Sequence, residues 1–353
     1  MNSQKIEIAG PGFRYCAQVG RGLLADAGRL TREQIAGDRA FLITDASVPG
    51  SIVQTVASSL RQAGFDTAEI VIAAGDQSKC LAEVERVCGQ MSTADRSSVV
   101  IAVGGGVVGD LAGFVAAIFH RGIPHVLIPT TLLAMVDSSI GGKTGVNLAA
   151  GKNLVGAFHQ PVLVLSDVDV LQLLPAEQLR QGYAEIIKHA IILDAEMFRE
   201  LEAAHAPEYV PLIARNIRIK AAVVAEDERE REGKRELLNF GHTVGHAIER
   251  ASEYALPHGD CVSLGIVAAC GISMKRAGFA REERNAVVEL LGRYGLPVRL
   301  GPGVPRNAIF EAIARDKKFV CGEIRFVVAP RIGQAFVSHE VTLRDLRDGV
   351  EEL

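Results

Sequence analysis

The residues with the most chemical capacity fall in Arg235 to His246, RELLNFGHTVGH, with a third histidine twelve residues on at His258. Read as one helix, the stretch puts His242 and His246 one turn apart, with Arg235, Asn239 and His242 in a stripe on one face. On spacing alone both imidazoles of this His-x-x-x-His pair are ligands of a divalent ion. The competing reading is an amphipathic helix with a wet face. A second candidate is Gly104-Gly105-Gly106-Val107-Val108-Gly109-Asp110, which satisfies G-x-G-x-x-G between an expected strand and an expected helix. There, amide N–H groups at the helix start face an anion such as a pyrophosphate. No acid follows about twenty residues on to take a ribose. Asp45, closing an earlier apolar run, offers a carboxylate for an adenosine hydroxyl instead, and Asp76 and Lys79 in GDQSK add an acid and a cation at the same edge.

A third candidate runs from Pro129 to Phe158, PTTLLAMVDSSIGGKTGVNLAAGKNLVGAF. Asp137, Lys143, Lys152 and Asn153 are spaced through expected turns there, and a lysine among glycines reads as a ligand contact rather than a solvated charge. Arg121, ending the helix after the glycine turn, is assigned to the same strand-end region.

Positioning these groups takes two kinds of scaffold. From Arg39 to about Asp169, apolar runs such as RAFLITD, SVVIAVGG and PVLVLSD alternate with amphipathic ones. Fully apolar strands spaced by helices mean a parallel sheet covered on both faces, hence an α/β domain over residues 1–170. After Leu173-Leu174-Pro175 the pattern turns to long amphipathic helices, giving a helical domain over 171–353, with a small hairpin expected at EIRFVVAP and QAFVSHEV. With no low-complexity linker, the two are expected to pack directly about a cleft.

Composition narrows the function. The chain has 353 residues, 48% hydrophobic and 23% charged, and a net charge of −4, so nothing general attracts it to nucleic acid or an anionic membrane. Val99 to Phe119 is apolar enough to suggest a membrane span, but its crowded glycines read as a strand and a turn. The six cysteines lack Cys-x-x-Cys spacing and the N-terminus lacks a basic region followed by an apolar run, which points to free thiols in a reducing cytoplasm.

Taken together, GGGVVGD, IPTTLLAMVDSSIGGKTGVN, GKNLVGAF, GYAEIIKHA, LLNFGHTVGHAIE and HGDCVSLGI closely resemble the 3-dehydroquinate synthase family of sugar phosphate cyclases, over roughly residues 40 to 335. The resemblance implies an NAD- and metal-dependent carbon–oxygen lyase of the shikimate pathway that converts 3-deoxy-arabino-heptulosonate 7-phosphate to 3-dehydroquinate and phosphate. Other cyclases, of the inosose or valiolone type, are the nearest alternative. It also implies a homodimer and one divalent metal, zinc or cobalt.

Residue by residue, the resemblance revises the metal reading: the ligands become Glu185, His242 and His258, and His246 passes to the substrate. Lys188, three residues after Glu185, falls beside it. Arg121, Lys143, Lys152 and Asn153 match substrate-facing positions, as do Lys188, Lys220, Arg235 and Asn239, while Asp137 matches an active-site acid. Asp45, Asp76, Lys79, Gly106, Val107 and Asp110 match NAD contacts, with Thr130 and Thr131; Lys143 and Lys152 lie where cofactor and substrate meet. Asp76 stands where the family usually has Glu, and the interval from Lys220 to Arg235 is one residue longer than usual. Lys317 and Lys318 are alternatives for one substrate contact.

Overall fold

Alternating apolar residues open the chain as a hairpin, β1 (Gln4–Gly10) and β2 (Phe13–Gly20), in a computed structural model that describes residues 3–203, 207–314 and 324–353. After the short helix α1 (Ala27–Arg32), strands and helices alternate: β3 (Arg39–Asp45), α2 (Gly50–Gln62), β4 (Asp66–Ile72), α3 (Leu81–Gln90), β5 (Val99–Gly104), α4 (Gly106–Ile118) and β6 (His125–Pro129). A π-helical turn at Ala134–Ser138 leads to a second hairpin, β7 (Lys143–Leu148) and β8 (Gly151–Phe158), and then to β9 (Leu163–Asp167).

Every residue of β5, β6 and β9 is buried, as β-branched strands covered on both faces must be. Seven strands form one sheet in the order β1-β2-β9-β6-β5-β3-β4, parallel throughout except for β1 at the edge. From β3 the chain goes outward to β4 and then crosses back to β5 on the other side. The crevice beyond the carboxyl ends of β3 and β5 is therefore the switch point where such sheets bind ligands.

Most of the remaining described residues are helical: α5 (Ala176–Leu193), α6 (Ala195–Ala203), α7 (Tyr209–Glu226), α8 (His242–Ala251), α9 (His258–Arg276), α10 (Arg281–Arg293) and α11 (Arg306–Ala314). An antiparallel hairpin, β10 (Phe326–Arg331) and β11 (Gln334–Ser338), precedes α12 (Leu343–Glu351), whose Thr342 and Asp345 make a reciprocal capping box. Helix α9 is buried on all sides from Gly259 to Ser273, and α5 and α8 pack along it.

The chain divides into one unit of Met1–Pro175 with Glu208–Ala225 and another of Ala176–Pro207 with Glu226–Leu353. This differs from a single cut after residue 170, because α7 joins the α/β unit. Arg218 Nη2 donates to Gln4 Oε1 of β1 at 2.8 Å, and Lys220 Nζ pairs with Asp137 Oδ1 at 2.9 Å. Among the described residues no helix is long and apolar enough to cross a membrane, and the stretch from Val99 to Phe119 is a strand, a glycine turn and a helix.

Candidate functional site

In the helical unit, three elements bring their first or middle residues together. Glu185 lies midway along α5, His242 opens α8 and His258 opens α9. The start of α9 is held on α5 by Asp260, which accepts from Arg180 Nη2 and from Gln181 Nε2, both at 2.8 Å, while its own N–H donates to Gln181 Oε1. Gln181 stands one turn before Glu185, so this clamp places His258 against the carboxylate. Both His242 Nε2 and His258 Nε2 lie 3.5 Å from Glu185 Oε1, and the three ligand atoms are within 4.8 Å of one another.

Glu185 and Lys188 are each 1% exposed and form an ion pair one turn apart. Burial alone raises the Glu185 pKa, but Lys188 and His242 outweigh it and hold the carboxyl well below the usual range. Burial, followed by the Lys188 charge, pushes the His242 pKa down and keeps that imidazole neutral. An ionised carboxylate and a neutral imidazole are the forms that coordinate a cation. For His258 burial also works downward, but Glu185 and Glu249 prevail and the metal-free ring titrates at about 9.

The stretch from Arg235 to His246 is not one helix. Arg235–Asn239 is a 3-10 turn, and Gly241, at φ 77°, breaks the chain before α8 begins. Arg235, Asn239 and His242 therefore do not share a continuous helical stripe. Arg235 is 2% exposed; its Nη1 donates to the Glu228 carbonyl at 2.6 Å and its backbone N–H to Asp227 Oδ2. Asn239 is half-buried, and His246 is exposed with its ring 5.2 Å from that of His242 and 6.0 Å from that of His258.

In the α/β unit, Gly106 and Val107 open α4 at the carboxyl end of β5, and Asp45 ends β3 beside them. Asp45 Oδ1 accepts from the Ser47 backbone at 2.7 Å. Thr130 donates its N–H to Gly104 at 2.9 Å, and Thr131 caps the turn that carries Asp137. Lys79, 5% exposed, pairs with Asp110 and donates to Asn153 Oδ1; burial leaves the Asp110 pKa raised in spite of Lys79. Lys152 reaches Asp76 Oδ2 at 3.3 Å.

Two placements in this unit differ from expectation. Lys143, Lys152 and Asn153 sit on the strands of the β7–β8 hairpin rather than in turns, and Asn153 has φ 54° beside a register shift. Arg121 does not join the strand-end group. Helix α4 runs back from the carboxyl ends of β5, so Arg121, four residues before β6 begins, lies at the opposite edge of the sheet. Lys317 and Lys318 lie outside the described residues.

Three polar residues that hold the site were not singled out from sequence. Asn147 donates to Asp76 Oδ2 at 3.0 Å and accepts from Asn153 N–H at 2.9 Å, joining two candidate groups. Asp227 accepts three backbone N–H groups of the loop leading to Arg235. Glu249 lies two turns beyond His242 on α8, an i,i+7 spacing that puts it on the histidine face.

Solved structures match this arrangement along its length. A 2-deoxy-scyllo-inosose synthase, complexed with carbaglucose-6-phosphate, NAD+ and Co2+, shares 25% identity at a TM-score of 0.87, covering 99% of each chain. ValA, the 2-epi-5-epi-valiolone synthase of Streptomyces hygroscopicus subsp. jinggangensis with NAD+ and Zn2+ bound, shares 28% at 0.88, covering 98% of each. Fold and residue groups thus define the class, that of the sugar phosphate cyclases. Within it, the models for the 3-dehydroquinate synthase N-terminal and C-terminal parts match residues 69–181 and 182–319. The 3-dehydroquinate synthase of Symbiobacterium thermophilum is 46% identical over 96% of this chain and 98% of its own. The chain belongs to the 3-dehydroquinate synthase family.

Proposed function

We propose that the chain converts 3-deoxy-arabino-heptulosonate 7-phosphate to 3-dehydroquinate and phosphate, as an NAD- and metal-dependent carbon–oxygen lyase of the shikimate pathway. The observation that carries this reading is the Glu185, His242 and His258 cluster in a chain 46% identical to a 3-dehydroquinate synthase. Identity to the inosose and valiolone synthases is lower, at 25% and 28%, which favours the carboxylate-bearing substrate.

One carboxylate and two imidazoles fit a catalytic divalent ion, zinc or cobalt, since a structural site closes with four protein ligands. The glycine turn fits a dinucleotide: a Cβ on Gly106 would stand 3.2 Å from Ser138 Oγ and fill the space before the helix N-terminus. When bound, NAD supplies a reversible hydride acceptor and the metal a Lewis acid for a carbinol oxygen. The chain's own groups bind and orient.

Asp45 and Asp76 hold ribose hydroxyls, with the buried Lys79 and its partner Asp110 beside the cofactor, and Thr130 and Thr131 line the adjoining strand end. Lys143, Lys152 and Asn153 hold the phosphate against the acidified C–H, so that the phosphate itself accepts the proton and no separate base is needed. In the helical unit Arg235 and Asn239 take the carboxylate, and Lys188 and His246 take hydroxyls, which suits a doubly anionic substrate. Lys220 fixes the Asp137 carboxylate.

We further take the enzyme to be cytoplasmic and homodimeric. The exposed apolar side chains of Leu148, Leu154 and Phe158 on one hairpin support the second point.

Substrate choice is the test. Purified protein with NAD and a divalent metal is offered the heptulosonate phosphate, glucose 6-phosphate and sedoheptulose 7-phosphate. Phosphate release from the first alone is expected; turnover of either of the others in its place contradicts the assignment.

A further inference from the structure

Among the groups around the Glu185 cluster, Glu249 stands apart: with His246 and His258 it offers a second set of ligand atoms within 4.8 Å of one another, yet it faces the Nδ1 of His258 and not the Nε2 that faces Glu185. Its side chain is buried on α8, at 4% exposure, seven residues after His242. A carboxylate in such a place is costly unless a proton donor meets it. One donor that faces it is His258: its Nδ1 lies 3.7 Å from Glu249 Oε1, while its Nε2 lies 3.5 Å from Glu185 Oε1. The other imidazole is built the same way, with Nδ1 of His242 at 3.2 Å from the Phe240 carbonyl and Nε2 at 3.5 Å from Glu185. In each ring Nδ1 faces an acceptor, at hydrogen-bond distance in His242 and at ion-pair distance in His258, and Nε2 faces Glu185. A ring whose Nδ1 carries the proton has its lone pair on Nε2, and a carboxylate at Nδ1–H both fixes the ring plane and makes Nε2 more basic.

We propose that Glu249 is a positioning residue for His258, holding it as the Nδ1–H tautomer so that Nε2 is presented to a divalent cation shared with Glu185 and His242. The inference rests on the metal reading of that cluster. His242 receives the corresponding service from the backbone and cannot lose it by substitution, so Glu249 is the adjustable half of the pair.

The test compares metal affinity, by chelator competition with cobalt(II), in the wild-type chain and in Glu249→Gln, Glu249→Ala and His258→Ala. Glu249→Gln preserves volume and can still accept from Nδ1–H through its amide oxygen. The expected order is a few-fold loss for Glu249→Gln, about 10- to 100-fold for Glu249→Ala, and a larger loss for His258→Ala. The visible bands of bound cobalt should shift in both Glu249 variants, because ligand orientation changes without loss of a ligand. Affinity within about twofold of wild type and unshifted bands in both Glu249 variants would overturn the proposal. So would a loss in Glu249→Ala as complete as in His258→Ala, which would make Glu249 a ligand. A wild-type chain that takes up no cobalt would remove the metal reading itself, and with it this inference.

Discussion

At the scale of single residues, burial decides which titratable groups are useful and which are only tolerated. Glu185 is buried but kept ionised by Lys188 and His242, whereas His125, the first residue of β6, is buried with no such help. It is 1% exposed and stacked on His159 at 4.9 Å between ring centroids. Burial, with a smaller push from His159, takes its pKa down to about 3. Unfolded histidine titrates near 6.5. The folded state therefore binds fewer protons than the unfolded one below that value. The stabilising contribution is complete above about pH 6.5 and is lost as pH falls toward 3, at about 1.4 kcal/mol per pH unit. In His125→Gln the urea midpoint of the protein should fall less steeply than in wild type between about pH 7 and about pH 5. Parallel slopes would contradict the assignment.

At the scale of elements, the cluster depends on how closely α8 and α9 approach. A Cβ on Gly265 would lie 2.0 Å from the Gly241 carbonyl oxygen and 2.8 Å from the Gly245 nitrogen, so only glycine lets α9 pass there. Gly265→Ala must push His242 away from His258. We expect about 1–3 kcal/mol of lost stability, from urea unfolding, together with weakened cobalt binding. Stability and affinity both at wild-type level would show the two helices to be less tightly coupled.

That contact also explains what the sequence could and could not convey. Local pattern was enough for β3, whose ends at Arg39 and Asp45 coincide with the run RAFLITD, and for the helix following the glycine turn. It was not enough for RELLNFGHTVGH, because the left-handed Gly241 that splits it is demanded by a helix some twenty residues further on. Nor did it place Arg121, since which edge of a sheet a helix end reaches depends on strand direction. The alternation in QKIEIAG and FRYCAQVG is legible as strands, but not that β1 runs antiparallel at the edge of the sheet. The grouping of Glu185 with His242 and His258 is legible only through resemblance, as spacing favours His246 over the distant glutamate.

At the scale of the whole molecule, the chain is two units whose boundary the sequence crosses more than once, with α7 belonging to the sheet-bearing unit. The proposed reaction uses a dinucleotide in one unit and a metal in the other and consumes neither. The most direct measurement follows phosphate, 3-dehydroquinate and NADH together while the purified chain, with NAD and a divalent metal, acts on 3-deoxy-arabino-heptulosonate 7-phosphate. Phosphate and 3-dehydroquinate are expected in equal amounts with no net NADH, and no reaction once NAD and metal are both stripped. NADH rising in step with substrate loss, or undiminished phosphate release from the stripped chain, would contradict it.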